Sequence, residues 1–399
     1  MTTGVSVSSS QSGLLETLYG QDRVVITASL ELTNGRFLQP TGFPDIGACI
    51  YRDKEGRRWC LVESEQSMSN RLEAVCMKDP GVWVDELKGL PVIAVRDPER
   101  DLLTTNLCEP HRIASSYVLD GKFKGGKTMK ALFEEKLGLK NGGDSWPLGK
   151  RAELEKLVFA LDPAALLHGF QFVQWGFVGL RQTRLLHGRL EAELADDAEV
   201  HYGMLKWDAI EPESTREERA NKGQSIAAKS RIVPRDVIAT FDVDMLGLKS
   251  LVLPDDQKKF LLGLALWKIG AFLANKPSFD PRSRQTLPSL RLRADCYLRC
   301  RSIKWEGDSR ADVTTADDLI KALPQMPDFA GLVKEVLSGD GDGSNSSGSV
   351  TSGDGEKLYE DLLLEVTYEP KKRKKGKTSA IASQQTVESD EEEAEDEQE

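Results

Sequence analysis

The stretch Ser289–Arg301 (SLRLRADCYLRCR) alternates without a break. Leu290, Leu292, Ala294, Cys296, Leu298 and Cys300 hold one parity; Arg291, Arg293, Asp295, Tyr297, Arg299 and Arg301 hold the other. A period of two is the repeat of a β-strand with one buried face, so the chain must contain a sheet. The segment predicts a single strand whose second face presents four arginines around one tyrosine. Like charges on one strand face repel, so stability does not account for them. A sheet face of guanidinium and aromatic ring suits single-stranded nucleic acid, with the cation for phosphate and the ring for a base. A solvated face paired to acidic neighbours is the competing reading, and the alternation alone does not choose.

The rest of the body mixes strand and helix signals, which makes the expected class α+β. Arg23–Thr33 alternates, with Val24, Ile26, Ala28, Leu30 and Leu32 on one face. Ile46–Tyr51 and Trp59–Glu63 flank a turn-rich charged stretch and predict a hairpin. Asn70–Met77 has helical spacing, with Leu72, Val75 and Cys76 inward. Pro254–Asn275 is apolar nearly all round and predicts a buried helix. Five segments follow: a frayed N-terminus (1–13), a body (14–337), a Gly/Ser-rich linker or loop (338–356), a terminal element docking on the body (357–368) and a charged disordered tail (369–399).

Charge is unevenly placed along the 399 residues. The net charge is −11, of which residues 388–399 supply −9, while residues 371–377 (KKRKKGK) supply +6, leaving −8 for residues 1–370. This excludes a uniformly basic nucleic-acid binder and leaves room for a local basic surface. The most apolar run, Phe260–Ala274, is interrupted by Lys268 and falls short of the about 20 residues a membrane span needs. No basic-then-apolar leader opens the sequence. The six cysteines form no CxxC and match no zinc spacing, and the four histidines form no metal-binding pair. The expectation is a cytoplasmic protein with reduced thiols, no metal and no cofactor.

Three segments could carry other chemistry. Gly121–Thr128 (GKFKGGKT) fits the phosphate-loop pattern, with Ile113–Leu119 as a possible preceding strand, Met129–Leu137 as the following helix and Val237–Asp242 as an acid-ended strand. Against a nucleotide fold, residues 151–235 do not alternate strand and helix, and a loose basic loop explains the lysines equally well. Glu109–Arg112 contains a histidine but no assignable nucleophile. Arg216–Arg235 carries a net +4 and reads either as a clasp for a polyanion or as an ordinary solvated loop.

Several blocks together resemble one family: Thr41–Gly47 (TGFPDIG), Val62–Glu73 (VESEQSMSNRLE), His111–Ser115 (HRIAS), Asp162–Gly169 (DPAALLHG), the leucine-rich helix at 260–274 and Leu290–Cys296 (LRLRADC). In that order they are similar to the backbone subunit of type I-U (I-G) CRISPR effector complexes, a member of the RAMP superfamily and counterpart of the Cascade filament protein. The resemblance covers roughly residues 20–300. It implies an RRM-like (ferredoxin-like) palm with large inserted thumb and finger loops. It implies a subunit without catalytic residues that polymerises along a CRISPR guide RNA and presents the spacer to target DNA in antiviral defence. The implied partners are the guide, further copies of the chain, other effector subunits and a recruited helicase–nuclease, with no membrane. The linker 338–356 and the tail fall outside the resemblance.

Residues and resemblance together single out Lys122, Lys124, Lys127, Arg231, Arg235, Arg291, Arg293, Arg299 and Arg301 for phosphates and Tyr297 for stacking. Asn70, Arg71, His111 and Arg112 lie in family blocks, where RNA contact and fold are both open. The rival readings are a nucleotide hydrolase on Gly121–Thr128 and a RAMP subunit that cuts target RNA with an acid such as Asp45 or Asp120. The acidic end of the tail is expected to occupy the basic groove before assembly or to have no role.

Overall fold

Strand β1 (Arg23–Leu32) sets the frame: Val24, Ile26, Ala28 and Leu30 are buried and the residues between them are half-buried. In the computed structural model the described residues are 9–43, 47–139, 150–175, 181–195, 201–202, 206–207, 225–226, 230–280, 284–293, 296–306, 315–338, 350–352 and 362–370. Residues 1–368 form one compact unit and 369–399 a second, of which only 369 and 370 are described.

The first unit is a mixed α+β body. After helix α1 (Ser9–Tyr19) and β1 come the short hairpin β2 (Ile50–Arg52) and β3 (Arg58–Glu63), helix α2 (Glu65–Ala74), and β4 (Pro91–Arg96) with β5 (Leu102–Thr105). A helical stretch follows: α3 (Ser116–Leu119), α4 (Met129–Leu137), α5 (Arg151–Leu161) and α6 (Pro163–His168). The chain continues through β6 (Leu186–Leu194), β7 (Pro234–Asp244), α7 (Asp255–Leu273), β8 (Leu298–Glu306), α8 (Ala316–Lys321), α9 (Phe329–Leu337), β9 (Val350–Ser352) and β10 (Leu362–Thr367).

Six strands form the central sheet in the order β8-β1-β7-β6-β3-β2, and every pairing is antiparallel. Helices α2 and α7 lie on the face that carries Phe241. Its ring is 6.0 Å from that of Phe272 in α7, and a Cβ on its cross-strand neighbour Gly188 would come within 2.7 Å of Met68 in α2. The opposite face carries Thr27, Ser29, Glu31 and Thr240, all half-buried, and the exposed Arg189.

Helix α7 spans the predicted buried segment, and every residue from Phe260 to Leu273 is buried. Each large apolar side chain taken from water contributes roughly 1.5–3 kcal/mol, so this helix anchors the core. Gly270 lets α8 approach it: a Cβ there would sit 2.7 Å from the Ala316 carbonyl oxygen. The second sheet has the order β9-β10-β4-β5, and β10 runs parallel to β4 from Leu362 opposite Pro91 to Thr367 opposite Arg96. Leu363, Leu364 and Val366 are buried there.

Two expectations are corrected. Ser289–Arg301 is not one strand. The chain reverses within it, Leu292 N–H donating to Cys296 O (2.7 Å) and Leu298 N–H to Leu290 O (3.0 Å), and β8 starts only at Leu298. The alternation survives because residues opposed across a hairpin share a face. Ile113–Leu119 is not a strand either, since Arg112–Ala114 is a 3-10 turn and Ser116–Leu119 is α3. A short apolar run fits strand and helix alike.

Candidate nucleic-acid interface

The reversal at 289–298 brings Tyr297 back beside Arg291, whose guanidinium lies 5.8 Å from the ring centre. The loop is tied to the end of β1: Tyr297 N–H donates to Asn34 Oδ1 (2.7 Å) and Thr33 N–H to Tyr297 O (2.9 Å). On the other flank of β1, Leu38 and Ile232 exchange backbone bonds of 2.8 and 2.9 Å. This sets the exposed Arg231 over Phe37, its guanidinium 4.5 Å from the ring centre. Two arginine–aromatic stacks thus flank the segment that follows β1.

Around these stacks the other predicted arginines meet carboxylates. Glu31 takes both Arg299, whose Nε donates at 2.8 Å, and Arg301 (3.2 Å). Glu63 takes Arg293 (2.9 Å) and Arg71 (2.6 Å). Glu193 takes Arg235 (3.4 Å). Arg231, Arg235, Arg291, Arg299, Arg301 and Tyr297, predicted from distant parts of the sequence, therefore sit at one end of the central sheet, where β1 and β6 end and β7, β3 and β8 begin, whereas Arg293 reaches Glu63, which ends β3 opposite Leu190. Arg36, which follows β1, and Arg58, which opens β3, belong to segments at the same end. In sequence, the segments 31–38, 58–71, 193–195, 230–236 and 289–301 carry nine arginines against six acidic residues (Glu31, Glu63, Glu65, Glu193, Asp236 and Asp295), in a body whose overall charge is negative. Exposed ion pairs contribute only about 0–1 kcal/mol, so guanidiniums such as Arg299 and Arg235 can exchange a carboxylate for a phosphate.

Glu63 behaves differently. It is fully buried. Burial pushes its carboxyl up, and the charges of Arg71 and Arg293 more than reverse that, holding it below the usual carboxylate range. Arg71 also donates to the carbonyl oxygens of Ser289 (3.4 Å) and Arg291 (3.1 Å). It thereby fastens α2, β3 and the 289–298 hairpin together.

The predicted lysines lie elsewhere. Lys122 exchanges backbone bonds of 2.8 Å with Thr367 of β10, and Phe123 N–H donates to Lys127 O (2.9 Å), so Gly121–Thr128 is a tight turn beside the second sheet. Lys127 pairs with Glu135, and Lys124 is exposed. The glycine opening this turn is set by packing: a Cβ on Gly121 would lie 2.5 Å from Val366 Cγ2. A phosphate loop needs a strand before it, and the segment before Gly121 is helix α3. Asp242 of the acid-ended strand pairs with Arg23. The nucleotide-loop alternative therefore lacks its frame. Asp120 ends α3. Asp45, most of 216–229, most of the 338–356 linker and the tail from 371 lie outside the described residues.

Of the family-block residues, Asn70 and His111 are exposed. Arg112 is buried and binds Asp162 (2.7 Å) and Glu73 (2.6 Å). Burial works against its charge, and these two carboxylates outweigh it. Next to this cluster, buried His168 is bracketed by Ser69 Oγ at Nδ1 (2.9 Å) and Lys268 Nζ at Nε2 (2.7 Å). An ammonium at Nε2 assigns the other nitrogen its proton, donated to Ser69. The sequence showed Lys268 only as a charge inside an apolar run. Its partner His168, one hundred positions away, lies in the block Asp162–Gly169, but nothing in the sequence joined the two. Phe37 was also missed, since a lone aromatic in a loop has no period. Among the described residues, no group of three or more His, Cys, Asp and Glu side chains is placed to hold a metal ion, and no helix is long and apolar enough to cross a membrane.

Residues 24–197 match the family model described as CRISPR-associated protein GSU0053. No curated protein matches the sequence. Among solved structures the chain is similar to Csc2 of Thermofilum pendens, at 12% identity, a TM-score of 0.27 and coverage of 81% of this chain and 78% of that one. It is also similar to a chain of a CRISPR RNA-guided surveillance complex, pre-nicking, at 14% identity, a TM-score of 0.30 and coverage of 72% and 77%.

Proposed function

We propose that this chain is a backbone subunit of a type I-U (I-G) CRISPR effector complex, which holds a guide RNA by its phosphates and stacks on its bases. Two findings support the reading. The match over residues 24–197 is to a CRISPR-associated family, and it covers four of the six sequence blocks that suggested one. The observation that carries the chemistry is the convergence of Arg231, Arg235, Arg291, Arg299, Arg301 and Tyr297 on one sheet end, with Phe37 added. Guanidiniums bind phosphates, and aromatic rings accept any base. A protein that must hold every spacer sequence needs this sequence-tolerant mode.

The strand pattern supports an RRM-like palm. Strands β1, β6, β7 and β8, with α2 and α7 against one face, follow the β-α-β-β-α-β plan. On this reading β2, β3, the second sheet and the segments between β6 and β7 are insertions into the palm. The subunit is non-catalytic, acts in the cytoplasm and polymerises on the guide with further copies of itself. Target DNA, the other effector subunits and a helicase–nuclease are its partners.

The test is the affinity of the full chain for single-stranded RNA. The double variant Arg291→Glu/Arg299→Glu should weaken binding at least tenfold and flatten the salt dependence, which falls by about 0.7 log units per phosphate contact per decade of salt. Unchanged affinity would sink the reading.

A further inference from the structure

Two carboxylates at the interface each serve two arginines, and they do so in opposite settings. Glu63 is sealed in the core and shared by Arg71 and Arg293, so its arginines are fixed parts of the fold. Glu31 sits on β1 with 26% of its side chain exposed, and its arginines are open, Arg299 at 71% and Arg301 at 63%. One oxygen of Glu31 accepts from Arg299 and the other forms an ion pair with Arg301 at 3.2 Å. The strand register explains this two-to-one arrangement. Glu31 lies opposite Arg299, and β8 shifts register so that Cys300 opposes Leu30 and Ser302 opposes Ser29, leaving no β1 residue directly opposite Arg301 in the register. Arg299 and Arg301 are two residues apart on β8 and so already share a face, which brings both guanidiniums to Glu31.

A carboxylate and a phosphodiester present paired anionic oxygens that a guanidinium fork binds in the same way. We infer that Glu31 is a specificity-determining residue: an internal competitor that occupies the Arg299/Arg301 phosphate site until an RNA strand displaces it. This rests on the RNA-binding reading above. In the free protein Glu31 cancels one of two cationic charges, which weakens capture of stray polyanions. RNA aligned by the neighbouring stacks and arginines displaces Glu31 readily, and a weakly held strand does not.

Glu31→Gln keeps the shape and removes the charge. Binding of a short uridine homopolymer should tighten about three- to tenfold, the scale of releasing one or two exposed ion pairs. The log–log salt slope should steepen by about 0.7, because one more phosphate is neutralised without freeing a carboxylate. Both effects should vanish in an Arg299→Gln/Arg301→Gln background, where no fork remains to be released. Equal or weaker binding by Glu31→Gln, with wild type still binding, overturns the inference and marks Glu31 as a residue that merely orients the arginines. Gain of affinity in the arginine-free background overturns it as well. If wild type and the Arg291→Glu/Arg299→Glu variant bind alike, the RNA-binding reading itself fails, and the two failures are thus distinguishable.

Discussion

His168 shows at the scale of one residue how this fold spends polar groups in its core. Burial pushes its ring well below the ordinary histidine range, and the positive charges of Lys268, Arg112 and Arg184 push the same way. The ring is therefore neutral in the folded protein. In the unfolded chain it takes up a proton near pH 6.5. A depressed folded value means that this contribution to stability is complete above about pH 6.5 and is lost progressively below it. Wild-type melting temperature should drop between pH 7 and pH 5. His168→Gln, which keeps an acceptor for Lys268 and cannot titrate, should be less stable at pH 7 but flatter across that range. An equal slope for both proteins would show that other groups set the acid sensitivity.

Turns decide the outcome at the scale of elements, and they were the least legible part of the sequence. The β1 alternation and the apolar run of α7 were readable because period and length each pointed one way. The 289–301 segment was not, because a hairpin preserves the alternation on both arms and no strong turn dipeptide marks the reversal. That error helped rather than harmed the site: reversal puts Arg291 against Tyr297, which a single strand would have set far apart. The phosphate-loop pattern misled for a related reason. Gly121 matches the first glycine of that pattern, whereas its place is set by packing against Val366 of β10. Gly121→Ala should force that strand away and destabilise the protein by about 1–3 kcal/mol. Melting temperature is the measure, and an unchanged value would mean that β10 is not clamped at Gly121.

At the scale of the whole molecule, an acidic chain concentrates arginine at one end of its central sheet. Described residues of the segments 31–38, 58–60, 193–195, 230–236 and 297–301, with Arg291, meet there, and no linear motif announces it. The individual residues were legible from alternation and charge, but their convergence depends on strand order. The most direct test is to co-express the chain with a CRISPR array and its partner subunits, purify it through a moderate-salt wash and sequence the nucleic acid that remains. The account predicts short RNAs of uniform length with repeat-derived ends, lost in the Arg291→Glu/Arg299→Glu variant. Protein free of RNA, or carrying an unselected mixture, would contradict it.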